Sequence, residues 1–319
     1  MKLELSKLQI GILCGLGSRG YETHSELVHA LNKSQTRISI ALKDLERLGF
    51  IMSEKKGLSK RVRLSGSKHA LLLKRLFTKY PNLRFEKYLS GSSVEVLLPL
   101  AYLKCNVSEI AEQSGYSERT VLRALNRLIE IGMTIGERKC YSINPRFNTL
   151  SEFLREFQAY TNVGLAYEFS KTATILWQRG KEFLIETKGG CENEHFLLTG
   201  YEKLGEFGIP LILTDIKHYF YTEYKNRLCL EDMCLHILTL EPASTRPILY
   251  VLLAVSKNKG KIDWKYMKKE SEKYDLKKTV IGLKKYLKSQ GEVKPQYFPT
   301  WDEFKTKAWE YDINASEKV

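Results

Sequence analysis

The chain lacks any apolar run long enough to cross a bilayer. Its longest, Ile248 to Val255, is eight residues, against the ~20 a spanning helix needs. It has no C-x-x-C pair, and its cysteines stand far apart at 14, 105, 140, 191, 229 and 234. That excludes the disulfide framework of a short secreted domain and points to reduced thiols in the cytoplasm. A Walker loop, a G-x-S-x-G elbow and an H-E-x-x-H helix are all missing, so the common signatures of NTP-binding, serine-hydrolase and zinc-protease chemistry are absent. Cys191, His195, Cys229, Cys234 and His236 offer soft ligands, but their spacings close no zinc site. No cofactor, metal or membrane is expected. The N-terminus also fails as a targeting peptide. Glu4 sits where that peptide would be basic, and Leu5, Leu8, Ile12 and Leu16 recur at helical spacing.

What is present is a chain of 319 residues, 43% apolar and 28% charged, enough to bury a core in two or three domains. The net charge is +14, and it is unevenly spread. Residues 1–85 carry 17 Lys/Arg against 6 Asp/Glu, residues 86–150 carry 8 against 7, and residues 265–290 carry 9 against 3. A basic field concentrated at one end suits a polyanion.

An internal repeat sets the architecture. Shifted by 83 residues, Ser25–Phe50 aligns with Ser108–Met133, and 7 of 26 positions are identical, among them Ser34/Ser117, Ala41/Ala124, Leu45/Leu128 and Gly49/Gly132. In each copy the pattern predicts a short helix (capped by Ser25 or Ser108), a brief turn, and a longer helix capped by Ser34 or Ser117 and stopped by Gly49 or Gly132. A β-hairpin is expected after each. Strands are predicted at 50–52 and 61–64 in the first copy, and at 133–135 and 141–143 in the second. Leu5–Leu16 and Val94–Leu103 read as the preceding helices, with Pro99 kinking the second or marking its start.

These features make residues 4–64 and 92–144 resemble the winged helix-turn-helix DNA-binding domains of prokaryotic and archaeal transcription regulators. The resemblance implies that the longer helix of each copy enters a major groove and that the hairpin wing meets phosphate. In the first long helix, Ile38, Ala41, Leu42 and Leu45 share one face, while Thr36, Ile40, Lys43 and Arg47 lie opposite, flanked by Arg37 and Ser39. In the second, Val121, Ala124, Leu125 and Leu128 face inward, leaving Arg119, Thr120, Arg123 and Arg127 outside. The groove candidates are therefore Thr36, Arg37, Ser39, Lys43, Arg119, Thr120, Arg123 and Arg127. The backbone candidates are Lys55, Lys56, Lys60 and Arg61 on the first wing. The second wing has only Arg138 and Lys139, so DNA contact and a packing or dimerisation role both stay open for that module.

A helix at 67–80 is expected to link the modules, and another at 146–162 to lead onward. Beyond it, 173–178 and 182–187 read as a hairpin, 196–207 as a helix, 209–214 as a buried strand and 219–222 as a further strand. Helices follow at 231–240, 245–256, 264–274 and 277–289. The stretches FLLTGYEKLGEFGIPLILTD and LCLEDMCLHILTL, within 196–289, resemble the nucleotidyltransferase-like domains of abortive-infection antitoxins and related regulators. Active members of that class carry two carboxylates one residue apart on a strand. Here Asp215 is followed by Ile216 and Lys217, so the resemblance implies a domain used for interaction or sensing rather than catalysis. The lysine-rich helices at 265–290 read as a solvated face or a nucleic-acid contact, and the aromatic-rich end as a packed terminal segment.

The expected fold is mainly α with α+β parts: a winged module at 1–66, a linker helix at 67–91, a second winged module at 92–145, a connecting helix at 146–164 and an α+β domain at 165–319. The expected function is a cytoplasmic, sequence-specific regulator of transcription that binds double-stranded DNA, with a homodimer or a protein partner served by the C-terminal domain. Two other readings stand beside it: an antitoxin-like autorepressor with a toxin partner, and a nucleotidyltransferase.

Overall fold

A computed structural model of the chain describes residues 3–56, 59–212 and 214–314, with the backbone alone at 56, 59 and 60. The chain divides into two compact units, Met1–Asn162 and Val163–Val319. It is mainly helical with small antiparallel sheets, as expected.

The first unit holds both copies of the repeat. The first copy comprises α1 (Lys7–Arg19), β1 (Tyr21–Thr23), α2 (His24–Leu31), α3 (Gln35–Arg47), β2 (Ile51–Lys56) and β3 (Ser59–Leu64). Then come α4 (Lys68–Lys79) and the single turn α5 (Phe85–Tyr88). The second copy runs α6 (Ser93–Leu100), β4 (Cys105–Asn106), α7 (Val107–Ser114), α8 (Glu118–Glu130), β5 (Thr134–Glu137) and β6 (Cys140–Ile143). Each copy builds a three-stranded antiparallel sheet of the same topology, β1-β3-β2 and β4-β6-β5.

The helix starts differ from expectation at two places. The cap of α2 is Thr23, not Ser25, and the cap of α7 is Asn106, not Ser108. The cause lies in the strands. Thr23 ends β1, paired with Arg61 of β3, and Asn106 ends β4, paired with Cys140 of β6. Pairing holds both residues extended, so the side-chain oxygen of each accepts from the N–H three residues on. Glu26 and Glu109 reach back to close two capping boxes. Ser34 and Ser117 cap α3 and α8 as expected, at nearly identical dihedrals (φ −64, ψ 150 and φ −65, ψ 150). Pro99 lies in the last turn of α6, which ends at Leu100 rather than Leu103.

One continuous core serves the whole unit. Ile38, Ala41, Leu42 and Leu45 of α3 are buried in it, as are Val121, Ala124, Leu125 and Leu128 of α8. Ahead of α1, an extended strap at residues 3–6 binds the copies together. Leu3 donates its N–H to Glu95 of α6, the Gly91 N–H donates to the Leu5 carbonyl, and the Tyr116 hydroxyl donates to Glu4. α9 (Asn148–Phe169) adds Phe153 and Phe157, which pack with Phe50 around His69. His69 is buried and hydrogen-bonded to the Leu48 carbonyl at 3.1 Å. Burial holds its pKa down to about 4 against the pull of that carbonyl and of Glu156. Gly49, at φ +71, turns the chain out of α3 and lies against the Tyr160 ring, so a Cβ there would stand 2.3 Å from a ring atom.

The second unit contains β7 (Thr174–Arg179), β8 (Glu182–Thr187), β9 (Phe196–Thr199) and β10 (Lys217–Tyr221) in one antiparallel sheet of order β7-β8-β10-β9. Among the described residues five helices complete it: α10 (Leu230–Leu240), α11 (Thr245–Lys257), α12 (Trp264–Glu270), α13 (Lys277–Lys288) and α14 (Trp301–Trp309). The helix expected at 196–207 is instead β9 followed by a 3-10 segment, Gly200–Phe207, because Gly200 at φ +74 breaks the chain direction. The strand expected at 209–214 is not formed by its described residues. Pro210 has no N–H to give a ladder, and Ile212 is fully exposed rather than packed inside. Of the aromatic end expected to pack, Phe298 and Phe304 lie beside the buried Tyr286, whereas Tyr297 and Trp309 are exposed.

Three outcomes are expected. Thr23→Ala and Asn106→Ala each lower the unfolding free energy by about 1 kcal/mol, whereas Ser25→Ala and Ser108→Ala leave it near wild type in denaturant titrations. Gly49→Ala lowers Tm more than Gly132→Ala does. Both sites require positive φ, but only the first also displaces a ring. Between pH 6.5 and about 4 an unfolded His69 binds a proton that the folded one refuses, so stability falls as pH drops through that window. The His69→Gln variant loses measurably less stability over the same range.

Candidate nucleic-acid interface

Burial of the apolar stripes fixes the rotation of α3 and α8 about their axes, and so decides which side chains leave the core. On α3, Thr36, Arg37 and Lys43 are exposed, with Ile40 standing 57% exposed among them. On α8, Arg119 and Arg123 are exposed. Among the described residues none of these four cations enters an ion pair. Two positions are less free than the helical wheel suggests. Thr120 is half-buried, its hydroxyl 3.1 Å from that of Ser117 in the cap of α8. Arg127 is half-buried too, with its Nε enclosed and unpartnered.

Ser39 has a different neighbour from the one its sequence position implies. It is half-buried, its Oγ 2.9 Å from Nε2 of His24, and it ties α3 to the start of α2. Arg37 lies on the flank of α3 toward α1. There it lines an open cleft of about 550 Å³ with Glu4, Ser6, Gln9, Ile40 and Asp44.

On the first wing Lys55 is exposed, while the side chains of Lys56 and Lys60 lie outside the described residues. Arg61 is half-buried, its guanidinium stacked over the Tyr21 ring at 4.6 Å. Sequence reading missed this platform. Its only signal was an aromatic residue just before a cap, which no motif flags. Arg63 pairs with Glu54 across the hairpin, their closest atoms 2.5 Å apart, so Glu54 is engaged by Arg63 rather than by Arg61, which stands opposite it in the strand register. The second wing has strands of four residues where the first has six, and turns at Arg138 and Lys139 in positive φ.

In the second unit Asp215 is exposed, in a bend outside the sheet, and not on a strand as expected. Among the described residues, no three His, Cys, Asp or Glu side chains gather to hold an ion. Nor is any helix among them long and apolar enough to cross a membrane. The polar interior is instead an ion-pair network. Lys225 Nζ lies 2.7 Å from Asp232 and 2.6 Å from the Tyr266 hydroxyl, and Lys273 pairs with Glu182, which also accepts from Thr222. Burial pushes the Asp232 pKa up, but Lys225, Tyr266 and the Cys229 N–H outweigh it and hold the carboxyl below its usual range. Desolvation of the Cys229 thiol pushes its pKa up to about 12. His236 sits beneath the sheet between Thr199 (2.8 Å) and the Tyr274 hydroxyl (2.9 Å), with its pKa held down to about 3 by burial.

The model of a family described as HVO_2833_C, C-terminal, matches residues 193–313. The match takes in β9, β10 and α10–α14 and leaves the first unit outside. No curated protein and no solved structure matches the chain.

The two kinds of α3 residue separate in a stability measurement. Ser39→Ala breaks the tie to His24 and lowers the unfolding free energy by about 1 kcal/mol. Lys43→Ala, which trims an exposed side chain on the outer face of α3, leaves it unchanged. Equal effects of the two substitutions would show that Ser39 is not the tie described.

Proposed function

We propose that the protein is a sequence-specific, double-stranded-DNA-binding transcription regulator of the cytoplasm, whose two winged helix-turn-helix modules contact the duplex while the C-terminal unit serves dimerisation, sensing or a partner protein. One observation carries this reading. Two helices related by an 83-residue repeat each turn cations away from the core: Arg37 and Lys43 on α3, Arg119 and Arg123 on α8. Arginine grips a guanine edge with two hydrogen bonds, and lysine neutralises phosphate. The charge distribution supports the same reading, since residues 1–85 hold 17 Lys/Arg against 6 Asp/Glu. Lys55 and Arg61 place further charge on the first wing, with Lys56 and Lys60 beside them in sequence. No covalent chemistry is required.

Genome-wide mapping of bound sites, followed by footprinting and fluorescence anisotropy on one of them, tests the proposal. Arg123→Ala is expected to relax the preference at one base pair by about 1–3 kcal/mol. Replacing Lys55, Lys56 and Lys60 together with Ala weakens binding to every duplex and flattens the dependence of log K on log salt by about 0.9 for each phosphate no longer neutralised. A purified chain that ignores duplex DNA at about 50 mM salt, where phosphate contacts are strong, would refute the proposal.

A further inference from the structure

The second unit carries a cationic surface of its own. α12 and α13 pack side by side, and Lys284 in the second half of α13 lies over the ring of Trp264, the first residue of α12, at 5.5 Å. Val280, Leu283, Tyr286 and Leu287 of α13, and Met267 of α12, are buried in the core. The opposite faces expose Lys265, Lys268 and Lys269 on α12, and Lys278, Lys285 and Lys288 on α13. At ~100° per residue the three on α13 fall on one side of the helix, in a row about 15 Å long.

The acids of this region are spent elsewhere. Asp263 caps the first N–H groups of α12, Glu270 lies toward Lys225 at 3.8 Å, and Glu272 pairs with Lys277 at 2.5 Å. Among the described residues, Asp275 in the turn and Glu292 just past α13 are left exposed near the six lysines. Among the described residues none of the six forms an ion pair. Six such lysines on one pair of packed helices carry a self-repulsion that an anionic partner relieves.

We propose that this α12–α13 face is a second, sequence-independent binding site for the phosphate backbone of nucleic acid, separate from α3 and α8. Two features favour a phosphate backbone over a lipid surface. A helix lying in a membrane buries its apolar face in the acyl boundary, but the apolar face of α13 is already inside the protein. Among the described residues of α12 and α13, Ile281, 36% exposed, is the one large aliphatic side chain that stands out among the lysines. The face carries no Arg, Asn or Gln to read base edges, so it adds affinity and salt dependence without sequence choice.

The test uses the full chain with all six lysines replaced by glutamine, measured by anisotropy on a random-sequence duplex across a salt series. Binding at low salt is expected to weaken about tenfold or more, with the salt slope shallower by about 0.9 for every lysine–phosphate pair removed. Wild-type affinity and slope overturn the proposal. So does a variant that loses only its binding to vesicles of mixed phosphatidylglycerol and phosphatidylcholine. If the sextuple variant does not fold, acetylation of the wild-type chain with and without duplex replaces it. Protection of the six lysines relative to Lys217 supports the site, and equal labelling overturns it. A companion variant lacking Arg37, Lys43, Arg119 and Arg123 separates the two readings. Loss of binding there alone keeps the regulator and removes this second site, and loss in the sextuple variant alone does the reverse.

Discussion

The burial of four apolar positions on each long helix is the constraint from which the rest follows. Once Ile38, Ala41, Leu42 and Leu45 are inside, α3 has no rotational freedom, and Lys43 must point away from the protein. The same holds for Val121, Ala124, Leu125 and Leu128, which leave Arg123 outside. Full burial of one such side chain is worth about 1.5–3 kcal/mol, whereas an exposed lysine contributes little to stability. The folded state thus stabilises one face of each helix and leaves the other free to vary with function.

Much of this was legible in the amino acids. Period-3.6 patterning located α3 and α8, and Ser34 and Ser117 marked their starts to the residue. The misreadings share a physical origin. Whether Thr23 or Ser25 caps α2 depends on the pairing of β1 with β3, a contact about forty residues distant in sequence that no local window contains. The tie from Ser39 to His24 is equally invisible to a helical wheel, which records angle but not the neighbouring element. In the second unit, Ile209–Thr214 has the composition of a buried strand, but composition alone does not reveal that Ile212 stands in solvent.

The second unit spends its charge in two ways. Lys225 and Lys273 are turned inward and matched to Asp232 and Glu182, while Lys265, Lys268 and Lys269 of α12 and Lys278, Lys285 and Lys288 of α13 are turned outward and form no ion pair among the described residues. Removing one partner of an enclosed pair strands the other and costs far more than removing a surface charge. The inner lysines therefore belong to folding, and the outer ones to whatever the unit meets.

The strap at residues 3–6 joins α1 to α6 through backbone and carboxylate bonds, and so makes the tandem a gauge rather than a tether. The interval between the two protruding helices is preset before any encounter. Under the function proposed above, a duplex would have to offer its contacts at that interval.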